Sequence, residues 1–215
     1  MTRDELLVSL SARILALPDE RAVTVAVDGM SCVGKSTLAA QLAEVVSGAG
    51  RPVVPVAYDD FHHAREVRHR GERLSAQGYL HDSYDPDALR RLVLDPAATG
   101  DPVVTASFDL AEDVAVAPDP VDLVPGSVVL VEGEFLLGDP LGTWDLAVLL
   151  VADPAAVVAR ALVRDSDLGT PAQVRELYLR RYLGAWSLYE EESDPWSRAD
   201  VVVDLTDPDT PRQLG

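Results

Sequence analysis

The chain has 215 residues, 47% of them hydrophobic, and a formal net charge of −18. That length suits one large domain with room for a small lid, and that charge excludes a general nucleic-acid or anionic-membrane surface, because both partners need a broad cationic face. No apolar run reaches the length of a membrane span, and the single cysteine, Cys32, leaves no internal disulfide and fits a reducing cytoplasm.

The first predicted element is an amphipathic helix in "MTRDELLVSLSARILALPDE". It carries leucines at helical spacing, and acids where a targeting segment would be positive. Apolar, β-branched runs then read as strands at 22–27, 53–58, 103–108, 128–132, 146–151 and 200–204. Most are continuous and not alternating, as expected for strands covered on both faces of a parallel sheet. Helical patterns at 35–48, 86–95, 154–165 and 171–192 lie between them. This alternation predicts a single doubly wound, mostly parallel α/β domain over 1–215, with right-handed crossovers. The Pro- and Asp-rich segment 112–125 reads as an exposed connection. The basic stretch "HHAREVRHRGER" at 62–73 has two readings: a solvated helix face paired with Glu66 and Glu72, or a cover over the acceptor side of a cleft.

Between the first strand and the helix at 35–48 lies Gly29-Met-Ser-Cys-Val-Gly34-Lys35-Ser36, which matches G-x-x-x-x-G-K-[ST] in its proper strand–loop–helix setting. Two glycines let successive backbone N–H groups converge on phosphates, and the helix dipole adds to that field. Gly29, Ser31, Val33, Gly34, Lys35, Ser36 and Thr37 are therefore expected to cradle ATP, with Ser36 also offering its hydroxyl to Mg²⁺. Lys35 is the only lysine in a chain that otherwise uses arginine. The loop needs a compact ammonium with rotatable donors, which a planar guanidinium cannot replace. Cys32 reads as a small spacer, not a nucleophile.

The second strand ends in "YDDFHH", placing Asp59 and Asp60 at the carboxyl edge of the sheet, where α/β ligands bind. Either could accept a proton from an acceptor hydroxyl, or simply cap the strand end. The run "VVLVEGEFLL" puts Glu132 at the same edge as a candidate Mg²⁺ carboxylate. Glu134 is expected on the other side and is the weaker candidate.

The cradle, followed in order by "YDDFH", "SYDPDAL", "SFD", "VLVEGEFLL", "ARALVRD" and "ADVVVD", resembles the uridine kinase-like proteins, in the group that includes phosphoribulokinase and bacterial pantothenate kinase. The resemblance spans nearly the whole chain. It implies a P-loop kinase with a short helical lid at about 164–172, using ATP and Mg²⁺ on a small hydroxyl-bearing acceptor. It further implies Asp59 as the catalytic aspartate, Glu132 as the metal-side glutamate, Asp85 as a ribose-binding carboxylate and Arg164 as a catalytic lid-base arginine. His62, Tyr84 and Phe108 fall at acceptor-side positions. Two departures weigh on the acceptor: Phe108 stands for a tyrosine and Asp113 for a base-reading histidine. A carboxylate at 113 implies a ligand edge richer in donors than uridine, such as a polyhydroxylated or ribose-bearing molecule. Arg160-Ala161 replaces the usual arginine pair of the lid helix.

Within 171–192, Val174, Leu177, Tyr178, Tyr182, Ala185 and Tyr189 form one stripe, and Arg181 lies within it while Arg180 points away. An inward arginine requires an anionic partner, either a protein carboxylate or a bound substrate. The leading reading is an ATP- and Mg²⁺-dependent kinase of a nucleoside-like or polyol-bearing acceptor. The alternative is a nucleotide-binding regulatory protein with slow or no hydrolysis, and the oligomeric state is left open.

Overall fold

The computed structural model describes residues 1–214. In chain order the strands are β1 (Val23–Gly29), β2 (Val53–Ala57), β3 (Phe108–Asp109), β4 (Val114–Ala115), β5 (Val128–Gly133), β6 (Leu146–Val151), β7 (Val201–Asp204) and β8 (Arg212–Leu214). Six of them form one sheet in the order β2-β5-β1-β6-β7-β8. The first five are parallel, and β8 closes the edge antiparallel to β7. Helices cover both faces, giving the doubly wound α/β architecture that alternating elements predict.

The core strands are wholly apolar at their centres: Val25, Ala26, Val129, Leu130, Val148 and Leu149 are all buried. The N-terminal helix (Arg3–Leu15) begins with a capping box between Thr2 and Glu5 and buries Leu6, Leu10 and Ile14. Buried Arg51 fastens the far end of that helix, donating to the carbonyls of Ile14, Leu17 and Pro18 and to that of Gly126. Two long helical stretches, 86–99 and 171–193, each contain one π turn, at Arg90–Leu94 and Tyr178–Tyr182. A single 3₁₀ turn at Ser166–Leu168 occupies the expected lid position between the helix Pro154–Arg164 and the stretch from Pro171.

One predicted strand is not in the sheet. Of the run 103–108, Val103 makes an isolated bridge to Val121, and Phe108 opens the two-stranded hairpin of β3 and β4. Only Val103 and Phe108 in that run are buried, so it lacks the apolar faces that a central strand requires. No helix among the described residues is long and apolar enough to cross a membrane.

Sheet register sets the position of the site. Glu132 pairs with Val27 of β1 on one side and Ala57 of β2 on the other. The carboxyl ends of these three strands are therefore level, at the point where chain connections diverge to either side of β1.

Candidate active site

The loop after β1 carries out the turn its sequence encodes. A Cβ at Gly29 would lie 2.5 Å from the Leu150 carbonyl oxygen, so only glycine permits this approach to β6. Gly34 has φ of 112° and opens the helix Lys35–Gly48. Cys32 is held at φ of 59° with its Sγ 3.3 Å from the Tyr178 hydroxyl. Burial pushes its thiol pKa up, which suits a packing role.

Above the sheet edge lies a cavity of about 410 Å³. Ser31, Lys35 and Ser36 line it from the loop, Asp59 and His62 from the end of β2, Glu132 from β5, and Tyr84, Arg164 and Arg181 from further elements. A second pocket of about 250 Å³ takes in Val33, Gly34 and Thr37 together with Arg160, Leu205 and Pro208. Two predicted acceptor residues lie outside both linings. Phe108 is buried in its hairpin, and Asp85 caps the next helix by accepting from the Ala88 N–H at 2.9 Å.

Asp59 and Asp60 separate by environment. The Tyr84 hydroxyl donates to Asp59 Oδ1 at 3.1 Å, and the Tyr84 ring is fixed between Tyr58 (centroids 4.4 Å) and His62 (4.3 Å). Asp60 does not line the cavity, and its carboxyl is raised by burial and by the charges of Asp59 and Asp109. The His62 imidazole is held towards its neutral form by burial, with Nδ1 2.8 Å from the Asp59 carbonyl oxygen.

Glu132 is half-buried, and its carboxyl is pushed up by desolvation, against the opposing pull of Lys35 and the Ser36 hydroxyl. Asp59 and Asp60 add to that upward push. An all-oxygen pair of hydroxyl and carboxylate, crowded by further carboxylates, fits a hard divalent cation that brings its remaining ligands from phosphate and water.

Glu134 does not turn away as expected: side chains two residues apart share one face of a strand, and Glu134 lines the same cavity as Glu132. Its Oε1 lies 3.8 Å from Lys35 Nζ and accepts from the Tyr79 hydroxyl at 3.3 Å, while Oε2 has no partner among the described residues. Since the Tyr79 and Tyr84 hydroxyls are 3.5 Å apart, a polar chain links Asp59 to Glu134 through two tyrosines. Burial, only partly offset by Lys35, pushes the Glu134 carboxyl from 4.5 up to about 7. A carboxyl raised on folding leaves stability intact below about pH 4.5 and withdraws it as pH climbs through 7. Wild type should therefore lose roughly 2–3 kcal/mol across that window that Glu134→Gln does not lose. Denaturant titrations of both proteins from pH 4 to 8 measure the difference, and parallel pH profiles would refute it.

Asp28 is another residue that sequence reading passed over. It is wholly buried at the end of β1 and accepts from Gly29 N (2.7 Å), Leu137 N (3.2 Å) and the Tyr189 hydroxyl (2.6 Å). Arg160 also escaped notice as a link. It donates to the carbonyls of Cys32, Val33, Leu205 and Thr206, joining the phosphate loop to the segment after β7. Its spacing of four from Arg164 on one helix was the available signal.

The two candidate arginines resolve differently. Arg164 pairs with Asp165 at 2.7 Å, and its Nη2 reaches the Tyr178 hydroxyl (2.9 Å) and Ser31 Oγ (3.5 Å). Arg181 is buried, whereas Arg180 is exposed and pairs with Glu176. In segment 62–73 only Arg65–Arg68 is helical, and Arg68, His69 and Arg73 line the cavity. Arg68 pairs not with Glu66 or Glu72 but with Asp113 at 3.0 Å, and Asp113 also accepts from the Arg65 N–H. Asp113 is thus committed to the protein, and the donor-rich ligand edge expected from it has no basis.

No protein-family model and no curated protein matches the chain. Solved structures do resemble it. A possible uridine kinase from Bacillus stearothermophilus is 24% identical, with a TM-score of 0.71, over 93% of this chain and 97% of that one. A candidate fructose transport system kinase from Silicibacter sp. TM1040 is 25% identical, with a TM-score of 0.71, over 90% and 96%. D-glycerate 3-kinase from Cryptococcus neoformans is 13% identical, with a TM-score of 0.67, over 97% and 99%. With its mostly parallel, helix-flanked sheet, the chain shares the fold of these P-loop kinase structures.

Proposed function

We propose that the protein is an ATP- and Mg²⁺-dependent kinase that moves the γ-phosphoryl group of ATP to a hydroxyl of a small molecule. The observation that carries this reading is the meeting of Lys35, Ser36, Asp59 and Glu132 around one cavity at the carboxyl edge of the sheet. A regulatory nucleotide-binding protein has no use for Asp59 facing that space beside a phosphate loop.

In this reading the acceptor oxygen attacks the γ-phosphorus and the bond to the β–γ bridging oxygen breaks, releasing ADP. Asp59 takes the hydroxyl proton, oriented for it by the Tyr84 hydroxyl. Lys35 and Arg164 face the transferring group as fixed positive charge. Ser36 and Glu132 would hold Mg²⁺, which would supply charge neutralisation at the transferring phosphoryl group. The second pocket, beside Gly34, Thr37 and Arg160, would offer room for the nucleoside of ATP.

The test is ADP formation from ATP and Mg²⁺ across nucleosides, free sugars, sugar phosphates and hydroxy acids. Turnover that depends on one acceptor class supports the reading. Acceptor-independent or absent hydrolysis across the whole panel favours the regulatory alternative.

A further inference from the structure

The cavity is divided by charge. Asp59, Glu132 and Glu134 gather at the Lys35 end, while Arg68, His69, Arg73 and Arg181 line the other. The Tyr79 ring stands between them: its hydroxyl meets Glu134 and its face lies 5.1 Å beneath the Arg181 guanidinium.

Arg181 is the unusual member. It is 9% exposed, on the inward side of the π turn, and its Nη1 donates to the Arg73 carbonyl at 2.6 Å. Among the described residues, its Nε and Nη2 have no hydrogen-bond partner and no carboxylate pairs with it, whereas Arg68, Arg164 and Arg180 each have one. The chain contains 36 acidic residues, so partners were plentiful. A mostly buried guanidinium whose partners are one carbonyl and the Tyr79 face lacks a counter-charge, and an anion entering the cavity supplies it. His69 reports the same field: partial desolvation and then the charges of Arg181, Arg68 and Arg65 hold its pKa down.

That occupant is not the nucleotide. The phosphate loop already has Lys35 and Arg164, and Arg164 touches Ser31. Arg181 touches Tyr79 and Arg73, which belong to the chain beyond Asp59.

We infer that the acceptor is an anion, and that its oxyanion, a phosphate ester or a carboxylate, docks on Arg181 and Arg73 while its hydroxyl lies towards Asp59. The position of the hydroxyl rests on the kinase reading; the docking of the anion does not.

The experiment is calorimetric titration of the full chain saturated with Mg²⁺ and a non-hydrolysable ATP analogue, so that the phosphate loop is filled. The probes are two matched pairs: ribose 5-phosphate against ribose, and glycerate against glycerol. The anionic member of at least one pair should bind at least about tenfold more tightly than its neutral partner, and the pair that discriminates identifies phosphate or carboxylate as the group recognised. Arg181→Gln should abolish that preference while changing affinity for the ATP analogue less than about twofold. Arg73→Gln, at the exposed rim, should reduce the preference without disturbing the core. Equal binding of neutral and anionic probes would overturn the inference, as would an Arg181→Gln protein that loses the ATP analogue and keeps the preference. Tight anion binding without phosphoryl transfer to the bound anion would leave this docking site standing and remove the kinase reading.

Discussion

Asp59→Asn is expected to lower kcat by roughly a thousandfold, about 4 kcal/mol in the barrier, with little change in ATP affinity. Asparagine can still hold a hydroxyl in place but cannot take its proton, so the loss should fall on the chemical step and not on binding. The Tyr84 hydroxyl would keep a partner in the new amide oxygen, so the local hydrogen bonding survives the exchange and misfolding is not the expected cause of any loss. Asp60→Asn serves as the internal control. That carboxylate lies outside the cavity lining and should change turnover by less than about fivefold, under 1 kcal/mol. Steady-state kinetics of the two variants side by side decide the matter; a more damaging Asp60 variant would mean that the proton acceptor has been misassigned by one residue.

Lys35→Arg should cost at least about a hundredfold in turnover, near 3 kcal/mol, while leaving the melting temperature close to wild type. The Lys35 side chain is only 10% exposed, with its ammonium 3.1 Å from the Met30 carbonyl oxygen and 3.8 Å from Glu134. A guanidinium is broader and its donors fan out in one plane, so it cannot satisfy both contacts and still face the loop centre. No core packing depends on the exchange. Wild-type turnover in the arginine variant would show that the lone lysine has no geometric cause.

Much of this site was legible because its signals are local. Continuous β-branched runs marked five parallel strands, the glycine–lysine spacing marked the loop, and a strand end placed Asp59 and Glu132 on one edge. Helical phase alone separated Arg181 from Arg180, even though both lie within a π turn. Two other inferences do not hold. Side chains two residues apart in a strand share a face, so Glu134 belongs with Glu132 in the cavity and not on the opposite side. Position 113 was read as facing a ligand, but its carboxylate is taken up by Arg68 across 45 residues of chain, a pairing with no local signature. Asp28 and the Tyr79–Tyr84 chain were hidden for a related reason. A buried carboxylate and a pair of buried hydroxyls declare themselves only when distant segments meet.

The helical stretch 171–193 behaves as a ruler. Near one end Tyr178 rests against Ser31 and Cys32 of the phosphate loop, and eleven residues on Tyr189 is joined to Asp28, where that loop begins. At helical rise those two fastenings are about 16 Å apart, and Arg181 sits between them. If the loop holds the donor and Arg181 the acceptor's anion, as proposed, the distance between them is set by a helix and not by a flexible connection. An acceptor would then be measured as well as charge-matched: its reacting oxygen and its anion would have to match the interval this helix maintains, and homologues one carbon too short or too long would dock at one end while missing the other.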